Sequence, residues 1–288
     1  MPTAKVAHPT YFKRRRYLFW LSLPFSFYLV SSLWLLVYVI IKIMTTRESG
    51  TSRILRSMIT PEQKHLEEER KKQEVEAKLN RPFLKYDGKV TYNTTFNDCA
   101  YTCDNLLNWL NQSEHQECVV GFDMEWPFSF KMGAGKTALL QISPDLERCH
   151  LLHLSSMTKL PKALVELLHH PKLRLTGVNI KNDIRKLCRD FKEFDANKLL
   201  PNCIDLGVLA STILPVTGRW SMEKLVDYIL KMRIDKNKKI RMSKWHIVPL
   251  SCHQQNYAAI DGYASLLLYQ ELIKLKSSDE NINILNIS

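Results

Sequence analysis

The first 47 residues of this 288-residue chain contain no aspartate or glutamate. They hold seven lysines and arginines, more than half of the net charge of +12. The basic pI near 9.3 is therefore mainly a property of the N-terminus rather than of the whole surface. No CxxC pair occurs, and the seven cysteines are scattered and odd in number. That excludes a zinc ribbon and argues for reduced, mostly buried thiols over a disulfide framework; Cys99 and Cys103, four apart, fall on one helix face. His150, His153, His169 and His170 form no zinc-ligand spacing, the first two facing opposite sides of a strand. No repeat of 20–50 residues is present, which excludes solenoids and propellers. A phosphate loop is excluded as well: "GAGKT" at 133–137 has the ending, but Phe130 stands where the first glycine is needed.

Charge is also missing from Tyr17 to Ile41, 25 residues that include "YLFWLSLPFSFYLVSSLWLLVYVI". This stretch is long enough to span a bilayer with some tilt, and Tyr17, Trp20 and Tyr38 lie near its ends as interfacial aromatics do. It is too long for a signal peptide and has no small-residue cleavage site after it. Residues 1–16 read as a basic tail and 17–41 as a transmembrane helix. Cations flank it almost equally, Lys5, Lys13 and Arg14 to Arg16 before and Lys42, Arg47, Arg53 and Arg56 after, so orientation stays open. Residues 42–85 read as a charged helical linker. Within it Thr60 and Gln63 form a capping box, Pro61 starts the helix and Pro82 closes it. Glu67–Lys71, Glu68–Lys72 and Glu74–Lys78 support it at i,i+4.

From 86 to 275 the pattern is that of a mixed α/β domain. "DNLLNWL" reads as a helix, then "CVVGFDMEW", "TALLQI" and "CHLLHL" as three strands, with Gly133 and Gly135 at the turn between the first two. "PKALVELLHH" is helical and "RLTGVNI" a strand. Helices follow in "IRKLCRDF", "SMEKLVDYIL" and "HQQNYAAIDGYASLLLYQELIKL". Residues 276–288 are polar and read as a flexible tail.

Alternate residues of a strand share a face, so Asp123 and Glu125 project together from the end of "CVVGFDMEW". Asp183 falls near a strand-to-helix junction. Tyr257 and Asp261, four apart, share one face of the last helix. Several carboxylates converging without a cation would repel one another, and hard oxygen donors suit Mg²⁺ or Mn²⁺. Two such ions, about 3.5–4 Å apart, can clamp a phosphodiester while Tyr257 orients the attacking water. A strand DxE alone is more often a solvated edge; the order DxE, middle Asp, helical YxxxD is the informative feature.

That order, with "FDMEWPFSF", "HPKLRLTGVNIKNDIRKLCRDF", "GRWSMEKLVDYIL", "RMSKWHIVPL" and "YAAIDGYA", resembles the 3′–5′ exonucleases of the DnaQ-like superfamily. Within it the chain is most similar to the four-acid-plus-tyrosine subgroup, in the Werner-type exonucleases and their stand-alone animal relatives. The similarity runs from about Arg81 to Leu275. It implies a ribonuclease-H-like α/β fold, a mixed central sheet flanked by helices. It also implies removal of 3′ nucleotides with two Mg²⁺ or Mn²⁺ ions. By the resemblance Asp123 bridges both ions, Glu125 and Asp261 complete the nucleophile-side site, Asp183 supports the second ion, and Tyr257 orients water. The membrane segment departs from the soluble, nuclear members.

The stretch "RIDKNKKIRMSKWH" gathers Arg233, Lys236, Lys238, Lys239, Arg241 and Lys244 around one acid, with Trp245 beside them. It reads as backbone-phosphate contacts with an aromatic platform; a solvated basic loop is the plain alternative. Trp126 and Phe128, directly after the DxE, are placed to meet a terminal base or simply to pack. The expected substrate is DNA with a 3′ end, in genome maintenance and DNA repair. The alternatives are an RNA-trimming exonuclease of ribonuclease D type and a catalytically silent, membrane-tethered nucleic-acid-binding scaffold. A single-pass membrane location is expected, with the domain on the cytosolic, nuclear or mitochondrial side. A soluble nuclear enzyme is the alternative if the segment is not retained. The sequons at Asn93 and Asn111 are accordingly expected to carry no sugar.

Overall fold

The computed structural model describes residues 60–285. The expected basic tail at 1–16 and membrane helix at 17–41 lie outside the described residues. Among the described residues no helix is long and apolar enough to cross a membrane. Helix α1 (Pro61–Leu79) buries none of its residues. It is held by local chemistry: Gln63 Oε1 accepts from Thr60 N–H at 3.0 Å and Thr60 Oγ1 accepts from Gln63 N–H at 3.2 Å. Lys71–Glu67 and Lys78–Glu74 pair along its side at 2.8 and 3.0 Å.

The domain begins with β1 (Lys89–Asn93) and α2 (Phe96–Gln112), capped by Thr95. Strand β2 (Cys118–Glu125) carries the DxE. A small hairpin, β3 (Phe128–Ser129) and β4 (Gly133–Ala134), separates it from β5 (Leu139–Ser143) and β6 (Arg148–His153). Then come α3 (Lys162–Leu168), β7 (Leu173–Gly177), α4 (Ile180–Asp190), α5 (Ala196–Leu199), β8 (Cys203–Asp205) and α6 (Leu206–Ile213). Helix α7 (Met222–Leu225) runs into a π-turn at Val226–Leu230; short α8 (Lys238–Arg241) precedes α9 (Cys252–Leu285). Helix α9 continues to Leu285, ten residues past the expected end of the domain.

The six-stranded sheet has the order β1-β6-β5-β2-β7-β8. Strand β2 pairs antiparallel with β5 and parallel with β7; β6 pairs antiparallel with β5 and parallel with β1. This is the expected mixed sheet, with β2 near its centre. Each face has its own core. One holds Phe122, Ile142, Leu152 and Leu175 under α2, α3 and α4; the other holds Leu139, Leu151, Leu206 and Leu268 under α6, α7 and α9. The alternation of β2 divides its residues accordingly, with Phe122 and Met124 buried on the first face and Asp123 and Glu125 half-buried on the second.

All seven cysteines are free, and Cys99 and Cys103 are both fully buried on α2. The Asn93 side chain is buried and accepts from Thr102 Oγ1 at 3.1 Å, so the folded domain does not present this sequon. Asn111 is exposed.

Candidate active site

Two glycines bring the acids together. A Cβ on Gly121 would overlap the carbonyl oxygen of Gly262, so β2 and α9 approach backbone to backbone two residues from Asp123 and one from Asp261. Ala258, Ala264 and Ser265, all fully buried, keep the adjoining stretch of α9 thin enough to lie on the sheet. The carboxylates of Asp123, Glu125 and Asp261 consequently converge, with ligand oxygens all within 4.8 Å of one another. Tyr257, one turn before Asp261, lines the same cleft and is buried. Helix α9 starts on a capping box: Ser251 N–H and Gln254 N–H each donate to the other's side chain, at 3.0 and 3.3 Å.

Asp183 stands outside this trio. It sits in the first turn of α4, after the β7–α4 junction, where Asn179 takes the left-handed conformation at φ 63°. Asparagine tolerates that conformation better than most residues. Asp183 nevertheless feels Asp123: burial first, then repulsion from Asp123 and Asp205, raises its carboxyl to about 8.

The other acids are displaced in the same direction. Burial raises Asp123 to about 6, against a hydrogen bond from Met124 N–H at 2.9 Å and the charge of Lys236. Burial and Asp123 raise Asp261 to about 7, with Lys236, Tyr257 and Arg241 opposing. Glu125 is pushed well above the usual range by burial and by Asp123 and Asp261, with Arg241 opposing. Burial, then the charges of Asp261, Glu125 and Asp123, push the Tyr257 phenol up, with Arg241 opposing, which favours the protonated hydroxyl. The protein's own cations thus meet the acids only in part. Clustered hard oxygens with raised proton affinity form a donor set that fits a hard divalent cation.

The cleft, about 1260 Å³, extends from these carboxylates past Trp126 and Phe128 on one side and α6 on the other. Asp205, Arg219, Trp220, Lys236 and Arg241 also line it. Of the expected nucleic-acid contacts, Trp126 and Arg241 reach the cleft. Lys238, Lys239 and Lys244 are exposed nearby in sequence and do not line it. The expectation for Trp245 is corrected: it is fully buried, so no base can stack on it. Its ring packs beside Tyr257, centroids 6.0 Å apart, and its Nε1 donates to the Arg241 carbonyl at 3.0 Å. A tryptophan among lysines reads as surface, yet here the aromatic turns inward and the cations turn out. Lys236, read from sequence only as one cation of the basic stretch, also lines the cleft, and its charge acts on Asp123 and Asp261. Arg219 and Trp220 are not singled out by the sequence.

A family model described as a 3′–5′ exonuclease matches residues 98–275. This chain belongs to the 3′–5′ exonuclease family. A Drosophila melanogaster family member named 3′-5′ exonuclease is 47% identical over 204 residues, 69% of this chain and 58% of the relative. The chain therefore spans a little over half the length of that relative. Two solved structures share the fold. The Nibbler EXO domain of Aedes aegypti is 16% identical with a TM-score of 0.56, covering 71% of this chain and 98% of that one. Escherichia coli RNase D, an exoribonuclease involved in structured RNA processing, is 18% identical with a TM-score of 0.53, covering 66% and 46%.

Proposed function

We propose that the chain is a metal-dependent 3′–5′ exonuclease of the Werner type that acts on DNA 3′ ends in genome maintenance. The convergence of Asp123, Glu125 and Asp261 within 4.8 Å, in a chain of this family, carries the reading. These three carboxylates would hold Mg²⁺ or Mn²⁺, with Asp183 completing the set for a second ion. Ions bound there supply Lewis-acid activation of water and neutralise charge on the phosphodiester.

The chain's own residues do the rest. Tyr257, protonated and one turn from Asp261, is placed to donate a hydrogen bond to an attacking water and hold it in line. Lys236 and Arg241 line the cleft and offset the charge of a phosphate backbone drawn toward an acidic floor. Trp126 lines the cleft, with Lys186 Nζ over its ring 5.1 Å from the centre, and would meet the terminal base where it enters.

A second reading, RNA trimming, is favoured by the neighbour named RNase D. The test is a 5′-labelled single strand of DNA and of matching RNA incubated with the full chain and Mg²⁺, Mn²⁺ or EDTA. A ladder shortening from the 3′ end of DNA, abolished by EDTA, is expected. A ladder on RNA alone moves the substrate to RNA, and no ladder on either refutes the nuclease. We place the chain at a membrane through residues 17–41, with the domain on the cytosolic, nuclear or mitochondrial side.

A further inference from the structure

The hairpin between the DxE strand and β5 exposes apolar surface and anchors it firmly. Phe130 and Met132 at its tip are 90% and 89% exposed. The tip is not a loose loop. Gly135 N–H donates to the Pro127 carbonyl at 2.7 Å, closing the hairpin base. Asp190, at the end of α4, accepts from both Thr137 N–H and Thr137 Oγ1 at 2.7 Å. Lys186 pairs with Asp190 at 2.8 Å and donates to the Gly135 carbonyl at 2.7 Å. Lys136 Nζ caps the Phe191 ring at 4.0 Å. A stiff base thus carries a greasy end.

Two observations say what that end meets. The first is continuity with the cleft: Phe128 lines the carboxylate cavity and also packs edge-on against Phe130, ring centroids 5.5 Å apart. The second is charge. From Trp126 to Pro144 the chain has Lys131 and Lys136 and no acid, in a protein whose cleft floor is acidic. An apolar, aromatic tip that carries Lys131 and no acid of its own, one ring away from the carboxylate cleft, matches the end of a nucleic-acid duplex. There base faces are apolar and both flanking backbones are anionic.

We propose that Phe130 and Met132 form a wedge that stacks on the end of a base-paired substrate and holds its terminal pair open while one 3′ end enters the carboxylate cleft. The proposal rests on the nuclease reading and deepens it. It assigns the hairpin to substrate class, paired as against single-stranded ends, and leaves chemistry to the carboxylates.

The test compares the full chain with F130S/M132S and with Phe130→Trp. Each is assayed on a 5′-labelled single strand and on a blunt duplex of the same sequence. Both side chains are almost wholly exposed, so the melting temperature should not move. The double variant is expected to lose about tenfold on the duplex, the scale of one lost base stack, and to keep the native rate on the single strand; Phe130→Trp should keep both rates. A binding arm needs no turnover: in an Asp123→Asn background, 2-aminopurine at the 3′-terminal pair should brighten on binding and should not when F130S/M132S is added. Equal losses on both substrates would make the tip a general contact and overturn the wedge. Native rates on both, with unchanged fluorescence, would leave the tip to a protein or lipid partner and overturn it too. If the native chain cuts neither substrate, the nuclease reading fails, and the fluorescence arm still decides whether the hairpin opens a duplex end.

Discussion

The indole of Trp245 lies beside the phenol of Tyr257, ring centroids 6.0 Å apart, and its Nε1 holds the Arg241 carbonyl at 3.0 Å. One buried side chain thereby sets the positions of the cleft's hydroxyl donor and of one of its two cations nearest the acids. The same loop is tied to the sheet edge: Leu250 N–H donates to Tyr92 Oη at 3.0 Å, and Tyr92 Oη in turn meets His153 Nδ1 at 2.7 Å. Trp245→Phe keeps most of the packing and removes the donor. It should cost ~1–2 kcal/mol in urea unfolding. It should also lower kcat about tenfold, through misplacement of Tyr257 and Arg241. A variant that unfolds more easily with unchanged kcat would limit Trp245 to the core.

Gly121→Ala tests the strand-to-helix contact. The added methyl has nowhere to go but into the Gly262 carbonyl and the start of Leu266, so β2 and α9 must separate. A stability loss of about 1–3 kcal/mol or more is expected from overpacking. Activity should fall further than stability explains, because the same movement parts Asp123 from Asp261. Denaturant melts alongside rates at saturating substrate check both, and a fully active, fully stable variant would contradict the close approach.

The raised carboxyls give a pH dependence with a definite sign. Asp123, Asp261 and Asp183, at about 6, 7 and 8, all lie above an unfolded aspartate near 3.9. Between those limits the folded chain binds more protons than the unfolded one. These groups therefore make the metal-free protein less stable as pH rises from about 4 to about 8. A divalent ion competes with those protons and binds only the folded site. The gain in Tm on adding Mn²⁺ should accordingly grow between about pH 5.5 and pH 8. A gain that is flat or that shrinks over this range would contradict the account.

What the sequence disclosed, and what it hid, divides along physical lines. Asp123 and Glu125 were legible because strand alternation is local, and Tyr257 with Asp261 because helical spacing is. The strands of β2, β5, β6 and β7 were legible from their apolar runs. Strands β1 and β8 were not: five polar-mixed residues and three residues carry little pattern, and only pairing with β6 and β7 makes them strands. Helix α6 was missed in a continuous apolar stretch without a visible polar face. Burial of Trp245 and the aim of Lys236 toward Asp123 depend on contacts between distant segments, which no window of sequence contains. The clamp of Asp190 on Thr137 spans 53 residues and was equally hidden.

The central claim is that the converged carboxylates make this family member a metal-dependent nuclease. Asp261→Asn in the full chain tests it most directly, because the amide keeps the shape of the side chain and removes its charge. The measurement is the rate of shortening of a 5′-labelled DNA strand from its 3′ end in Mn²⁺, beside the native chain. The account predicts a fold that melts normally and a rate at least ~10²-fold lower, the scale of several kcal/mol of lost charge stabilisation. A variant that cuts as fast as the native chain would contradict it.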